Sequence, residues 1–148
     1  MNTKLLLVVL LASSLAAGIA EASAVGEIKI LKGSASVERQ GQRLPASVGM
    51  KLQQSDVVVT GQDGAVGITF ADNSLMSTGP NSTLSIDNFR FDSTTHVGEF
   101  NSTVKRGTVA VVSGKMVKQS PESMKIRTPS SIMGVRGTEF VIKVDDVR

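Results

Sequence analysis

Residues 57–75 read Val57-Val58-Val59-Thr60-Gly61-Gln62-Asp63-Gly64-Ala65-Val66-Gly67-Ile68-Thr69-Phe70-Ala71-Asp72-Asn73-Ser74-Leu75. Val66, Ile68 and Phe70 alternate strictly with small or polar residues, the period of two of a strand with one dry face. Gly61-Gln62-Asp63-Gly64 before them and Asp72-Asn73 after them are turn signals, and Val57–Val59 is a short β-branched run. The same grammar extends outward. Towards the N-terminus, Ile28 and Ile30 alternate with Glu27 and Lys29, Lys32-Gly33 turns, and Ala35 and Val37 resume, which predicts a hairpin. Gln40-Gly41-Gln42 is a second turn. Towards the C-terminus, Gly79-Pro80-Asn81 breaks the chain, then Leu84 and Ile86, Val109 and Val111, Met124 and Ile126, and Phe140, Ile142 and Val144 keep the period of two. Nowhere after Ala24 do apolar residues hold helical spacing over three turns. Ser113–Ser123, with its lysines, Gly114 and Pro121, reads as an exposed loop. The expectation is an all-β fold of short strands, solenoid-like or a sandwich, with Val66, Ile68, Phe70, Leu84, Ile86, Phe140 and Ile142 inside.

A length of 148 residues suits one domain. Hydrophobic residues at 41% and charged residues at 20% argue against global disorder. There is no cysteine, which removes disulfides, thiolate metal sites and thiol nucleophiles together. A single histidine, His96, excludes multi-histidine metal sites. Five phenylalanines are the only aromatics, poor material for stacking bases or sugars. No nucleophile elbow, phosphate-binding loop or dinucleotide fingerprint occurs, and Asp87, Asn88 and Asp92 lack calcium-loop spacing. Catalytic, cofactor and metal residues are therefore all expected to be none.

The N-terminus reads as a secretory leader. Lys4 is the positive start, Leu5–Ala12 an apolar run, and Ala22-Ser23-Ala24 a small-x-small cleavage site. Leu5–Ala20 falls short of the ~20 apolar residues of a spanning helix. Residues 1–24 are thus expected to be a signal peptide and 25–148 a single domain, periplasmic or secreted, with no stable membrane anchor after cleavage. The charge is uneven. Six acids between Asp56 and Glu99 meet only Arg90, while seven bases between Ser102 and Arg136 meet only Glu122. Two solvated faces, or pairing between the halves, is the simpler reading. The sharper one is a basic surface for an anionic envelope polymer or an envelope protein. Export and the lack of aromatics among the bases argue against a nucleic-acid partner.

Longer motifs join these strands into a pattern. They run Gly26-Glu27-Ile28, Leu31-x-Gly33-x-Ala35-x-Val37-x-Arg39, Val48-Gly49-x-x-Leu52 and Asp56-Val57-Val58-Val59-Thr60. Ile68-x-Phe70-Ala71-Asp72-Asn73-Ser74-Leu75, Gly79-Pro80-Asn81-Ser82-x-Leu84 and Gly107-x-Val109 follow. The pattern closes on Ile126-Arg127-Thr128-Pro129 and Val135-Arg136-Gly137-Thr138-Glu139-Phe140-Val141. The ordered set resembles the FecR-type periplasmic domain. The resemblance implies a β-rich, solenoid-like unit that works in interaction or ligand sensing outside the cytoplasm. Full-length FecR-like regulators add a cytoplasmic anti-sigma region and a membrane helix, and take their signal from a TonB-dependent receptor. Here the module follows the leader directly. The expectation is a stand-alone, non-catalytic interaction or sensing module, with a detached component of such an envelope-to-transcription system as the alternative.

The closing motif supplies the candidate partner-binding residues, Thr128, Pro129, Arg136, Gly137 and Thr138. Pro129 restricts Thr128 to extended backbone. Gly134 and Gly137 are expected to permit positive φ or close backbone approach. Arg136, with five fixed donors, is expected to clamp a carboxylate such as Asp72 or Asp56 rather than a ligand. If the leader is cleaved as read, mass spectrometry of the exported protein will show Val25 as its first residue. A mature chain still beginning at Met1 would refute the reading.

Overall fold

The computed structural model describes residues 23–145. Residues 1–22, which hold most of the expected signal peptide, lie outside them, as do residues 146–148. Twelve strands follow in order: β1 Gly26–Lys32, β2 Ala35–Arg39, β3 Gln42–Pro45, β4 Lys51–Leu52, β5 Val57–Thr60, β6 Ala65–Phe70, β7 Leu75–Thr78, β8 Thr83–Phe91, β9 Gly98–Val112, β10 Met124–Arg127, β11 Ile132–Gly134 and β12 Glu139–Val144. One short helix, α1 Lys115–Gln119, precedes β10. The fold is all-β, as the alternation predicts. Among the described residues no helix is long and apolar enough to cross a membrane.

The strands form one sheet in the order β3-β2-β5-β8-β9-β7-β6-β1-β4, with β10 and β12 added along β9 and β11 added to β10. β1 and β2 each lie three strands from β9, β1 through β6 and β7, and β2 through β5 and β8. β7 and β8 take successive stretches of β9, and the links between the halves pair in the same order: the Gly61 N–H donates to the Ser34 carbonyl, the Asn81 N–H to the Gly61 carbonyl and the Gly79 N–H to the Thr108 carbonyl. β1–β2, β5–β6, β7–β8 and β9 are therefore long strands side by side, each bent at its link, and the sheet curls as a half-barrel around its apolar face. Ser34 pins the corner. Its N–H and Oγ both donate to Asp63 Oδ1, at 3.2 and 2.7 Å, and its carbonyl accepts from the Gly61 N–H.

The predicted β1–β2 hairpin is thereby corrected. β1 pairs with β6 and β4, and β2 with β3 and β5. Alternation and a two-residue turn look the same in a hairpin and in a bend within one long strand. A second departure lies within β1. The register against β6 shifts between Ile28 and Ile30, a bulge that reverses the side-chain phase. Ile28 is buried and Ile30 is 56% exposed.

Inside the curl, Phe70 from β6 meets Phe89 and Phe100 from β8 and β9. The Phe70–Phe100 and Phe89–Phe100 rings lie edge to face, with centroids 4.6 and 4.9 Å apart. Val66, Ile68, Leu84, Ile86 and Ile142 are buried as predicted. Phe140 is only half-buried, because among the described residues β12 is the outermost strand on its side of β9. The predicted exposed loop at Ser113–Ser123 is also corrected. It holds α1 and a 3-10 turn at Pro121–Ser123, and it buries Met116 and Val117. Asp72 anchors it: its carbonyl accepts from the Lys115 N–H, and its carboxylate holds Ser74, whose Oγ accepts from the Gly114 N–H. One helical turn is too short to print a period in the sequence.

These burials separate two phenylalanines. Phe100→Ala should cost about 3–5 kcal/mol, and Phe140→Ala clearly less. Denaturant unfolding of the two variants checks the order, and equal losses would contradict the half-exposed setting of Phe140.

Candidate functional site

The five candidate residues fall on two concavities that flank β12. Thr128 and Pro129 occupy the turn between β10 and β11. The Thr128 N–H donates to the Ser131 carbonyl at 2.8 Å, and Thr128 Oγ1 accepts from the Ser131 N–H at 3.1 Å and lies 2.8 Å from Ser131 Oγ. Pro129 presets the backbone for that turn. This turn and Met133 form one wall of a groove of about 690 Å³, and Phe140–Asp145 form the other.

Arg136, Gly137 and Thr138 lie in the connection from β11 to β12. They border a second, open cleft of about 550 Å³ together with Ser113, Val117, Lys118, Pro121 and Glu122. Val135 is buried and anchors the connection from below. Gly137 has φ +112°, a backbone that favours glycine, and its carbonyl accepts from Ser113 Oγ at 2.7 Å. Gly134 sits in β11 among the ordinary negative-φ residues, with open space around it.

Arg136 does not make the predicted clamp. Asp56, 1% exposed, is held by Arg39: Nε donates to Oδ1 at 2.9 Å and Nη2 to Oδ2 at 2.7 Å. The Gln53 N–H adds a third bond to that carboxylate, and Arg39 Nη2 also reaches the Lys51 carbonyl. Asp72 is satisfied by Ser74. Arg136 is exposed instead, and it bears on Glu122 across the cleft. Donation from the Ser120 hydroxyl holds the Glu122 carboxyl below its ordinary value, and the Arg136 charge adds to this. Lys118 and Arg136 against the single acid Glu122 leave this cleft with one excess positive charge.

The edge between the two concavities is β12. It pairs antiparallel with the second half of β9, from Glu139 opposite Val112 to Val144 opposite Gly107. The Ser113 N–H donates to the Thr138 carbonyl, which sets the phase of the ladder, and the Gly79 N–H bond to the Thr108 carbonyl on the far side of β9 agrees with it. Phe140, Ile142 and Val144 therefore bond to β9, and Glu139, Val141 and Lys143 turn their N–H and C=O groups outward. The side chains of those three residues are exposed, Val141 at 66%. The first strand, β1, is covered at its start by β4, and the Ile28 N–H donates to the Met50 carbonyl.

Elsewhere the acidic and basic halves meet on an outer face. Asp87, Glu99, Lys125 and Arg127 line one shallow depression. Hydrogen bonds from Arg90 and Asn101 hold the Glu99 carboxyl below its ordinary value, with a smaller contribution from Lys125. Asp87 accepts from Ser85 Oγ and Thr103 Oγ1, and Asp92 caps its own turn through the Thr94 and Thr95 N–H groups. Among the described residues no three His, Asp or Glu side chains gather as a metal site would require. His96 stacks on Phe91 and lines neither concavity beside β12.

Arg39 is the residue that sequence reasoning missed. It closes a motif in β2, but its partner lies on the far side of three turns, and nothing local announces the pair. A family model described as FecR protein matches residues 56–148. The match spans β5 to β12 and both concavities, and leaves the motifs between Gly26 and Leu52 outside it. No curated protein and no solved structure matches the chain.

The two arginines should separate in a thermal melt. Arg39→Ala leaves the buried Asp56 carboxylate without its main partner and should cost about 3–5 kcal/mol. Arg136→Ala should change stability by less than about 0.5 kcal/mol. A large loss at Arg136 would restore it as a structural clamp.

Proposed function

The chain belongs to the FecR protein family of envelope-associated regulatory domains, and on that footing we propose that it is a non-catalytic interaction module of the bacterial envelope. In this reading residues 1–24 direct export and are removed, and residues 25–148 act in the periplasm or outside the cell. The partner is a polypeptide that adds a strand to the β12 edge. The observation that carries the reading is the edge itself: three outward N–H and C=O pairs beside a groove floored by Phe140, Ile142 and Val144. Backbone pairing supplies affinity in such recognition, and the groove supplies selectivity through alternate side chains. The Arg136 and Lys118 cleft beside it suits an acidic group on the same partner, or an anionic envelope polymer.

A second reading is favoured by the family's regulatory character. The module is then a detached component of an envelope-to-transcription relay, with the same edge engaged by a signalling protein. Both readings need recognition without chemistry.

The edge is tested with Lys143→Pro. The Lys143 N–H points away from β9, so proline removes an outward donor without breaking the existing ladder. The variant should keep its far-ultraviolet spectrum and melting temperature while losing a partner isolated from periplasmic extract. Full binding by a folded variant would exclude strand addition at β12.

A further inference from the structure

The outward face of β12 reads Glu139, Val141, Lys143, with an acid and a base placed symmetrically about a valine. That order has a consequence in antiparallel pairing. If β12 meets a second β12 about a two-fold axis through Val141, each Glu139 lies opposite the other copy's Lys143, and Val141 lies opposite its own equivalent. These are also the three residues whose N–H and C=O groups point outward, so all three opposed pairs are hydrogen-bonded ones. On the inner face the same register sets Phe140 against Ile142 of the other copy.

We propose that this edge pairs with a second copy of the same chain, making an isologous dimer in which the sheet continues from β9 through β12 into the partner's β12 and β9. The inference rests on the edge-recognition reading above and names its occupant. Charge complementarity selects the second copy: an incoming strand needs a base opposite Glu139 and an acid opposite Lys143, and this strand presents both at the right spacing. The half-exposed Phe140 gains the apolar neighbour that the monomer does not give it, since among the described residues β12 ends the sheet on that side. Among the described residues Lys143 pairs with the exposed Asp145 at 3.6 Å, a contact easily exchanged. In the paired register Asp145 lies opposite Gly137, which has no side chain to oppose it. A one-residue slip of either strand would put Phe140 on the outer face, so register is set by the apolar side as well as by charge.

Sedimentation equilibrium of the exported protein over micromolar to millimolar concentrations, with hydrogen exchange at each end of the range, tests the proposal. Wild type should dimerise, and the Glu139, Val141 and Lys143 amides should gain protection as it does. Glu139→Lys and Lys143→Glu each place like charges opposite one another at two symmetric positions, and should weaken self-association roughly tenfold. Mixing the two variants should restore it, because the introduced lysine of one chain then lies opposite the introduced glutamate of the other, and the native Lys143 and Glu139 still face each other. The double variant Glu139→Lys/Lys143→Glu should dimerise like wild type. A chain that is monomeric throughout overturns the proposal, as does a dimer whose three amides stay unprotected or which ignores both reversals. In the monomeric case, loss of an envelope partner on Lys143→Pro would leave the edge reading standing, and indifference to that proline would end both.

Discussion

The whole sheet depends on one strand serving two neighbourhoods. Over its first half β9 lies between β8 and β10, and over its second half between β7 and β12. A straight strand of 15 residues cannot do this inside a tight curl, so β9 has to bend. Gly107 is where it does so. Its φ is +90°, and a Cβ there would run into the Cα and side chain of Ser82. The bend is held by a relay of hydroxyls. Thr60 Oγ1 donates to the Gly79 carbonyl and accepts from the Ser82 N–H, and Ser82 Oγ accepts from the Thr108 N–H. All three donors and acceptors are buried or half-buried, where an unmade bond costs ~1–3 kcal/mol. The Gly-Pro-Asn-Ser and Gly-x-Val motifs are thus the two sides of one joint.

What the sequence reveals and what it hides follow from the range of each interaction. A period of two is local, so Val66, Ile68 and Phe70 declare their strand and their dry face without reference to anything else. Which strands pair is decided across the chain. Lys32-Gly33-Ser34 looks like a hairpin turn because Ile28 and Val37 both alternate, yet Ser34 binds Asp63 and the chain runs on through a bend, β1 along β6 and β2 along β5. Ile30 alternates too, and a single bulge turns it out to solvent. The closing motif is legible as a candidate site but not in its roles. Arg136, set between turn glycines, has the look of a clamp, whereas Arg39 in the middle of an ordinary strand ending is the one that holds a buried carboxylate.

The Arg136 connection is ordered by other means. Ser113 Oγ donates to the Gly137 carbonyl, the Ser113 N–H donates to the Thr138 carbonyl, and Gly114 next to it is tied through Ser74 to the buried Asp72. Backbone carbonyls on the outside of the loop are thus fixed to the interior, with no guanidinium needed. The arginine is left exposed on an ordered backbone, so a partner that binds it has to immobilise the side chain's own rotamers but not the loop that carries it. The same bonds set the start of β12, since Thr138 is the residue before it. Loop and edge are therefore positioned as one piece, the charged cleft at the loop that leads into the strand and the apolar groove along the strand itself. Any strand that adds to β12 arrives within reach of both. In the proposed recognition its backbone would pair with Glu139, Val141 and Lys143, its inward side chains would meet Phe140 and Ile142, and its flanking charge would meet Arg136, so affinity, register and sign would be set by three different parts of one six-residue edge and the loop that leads into it.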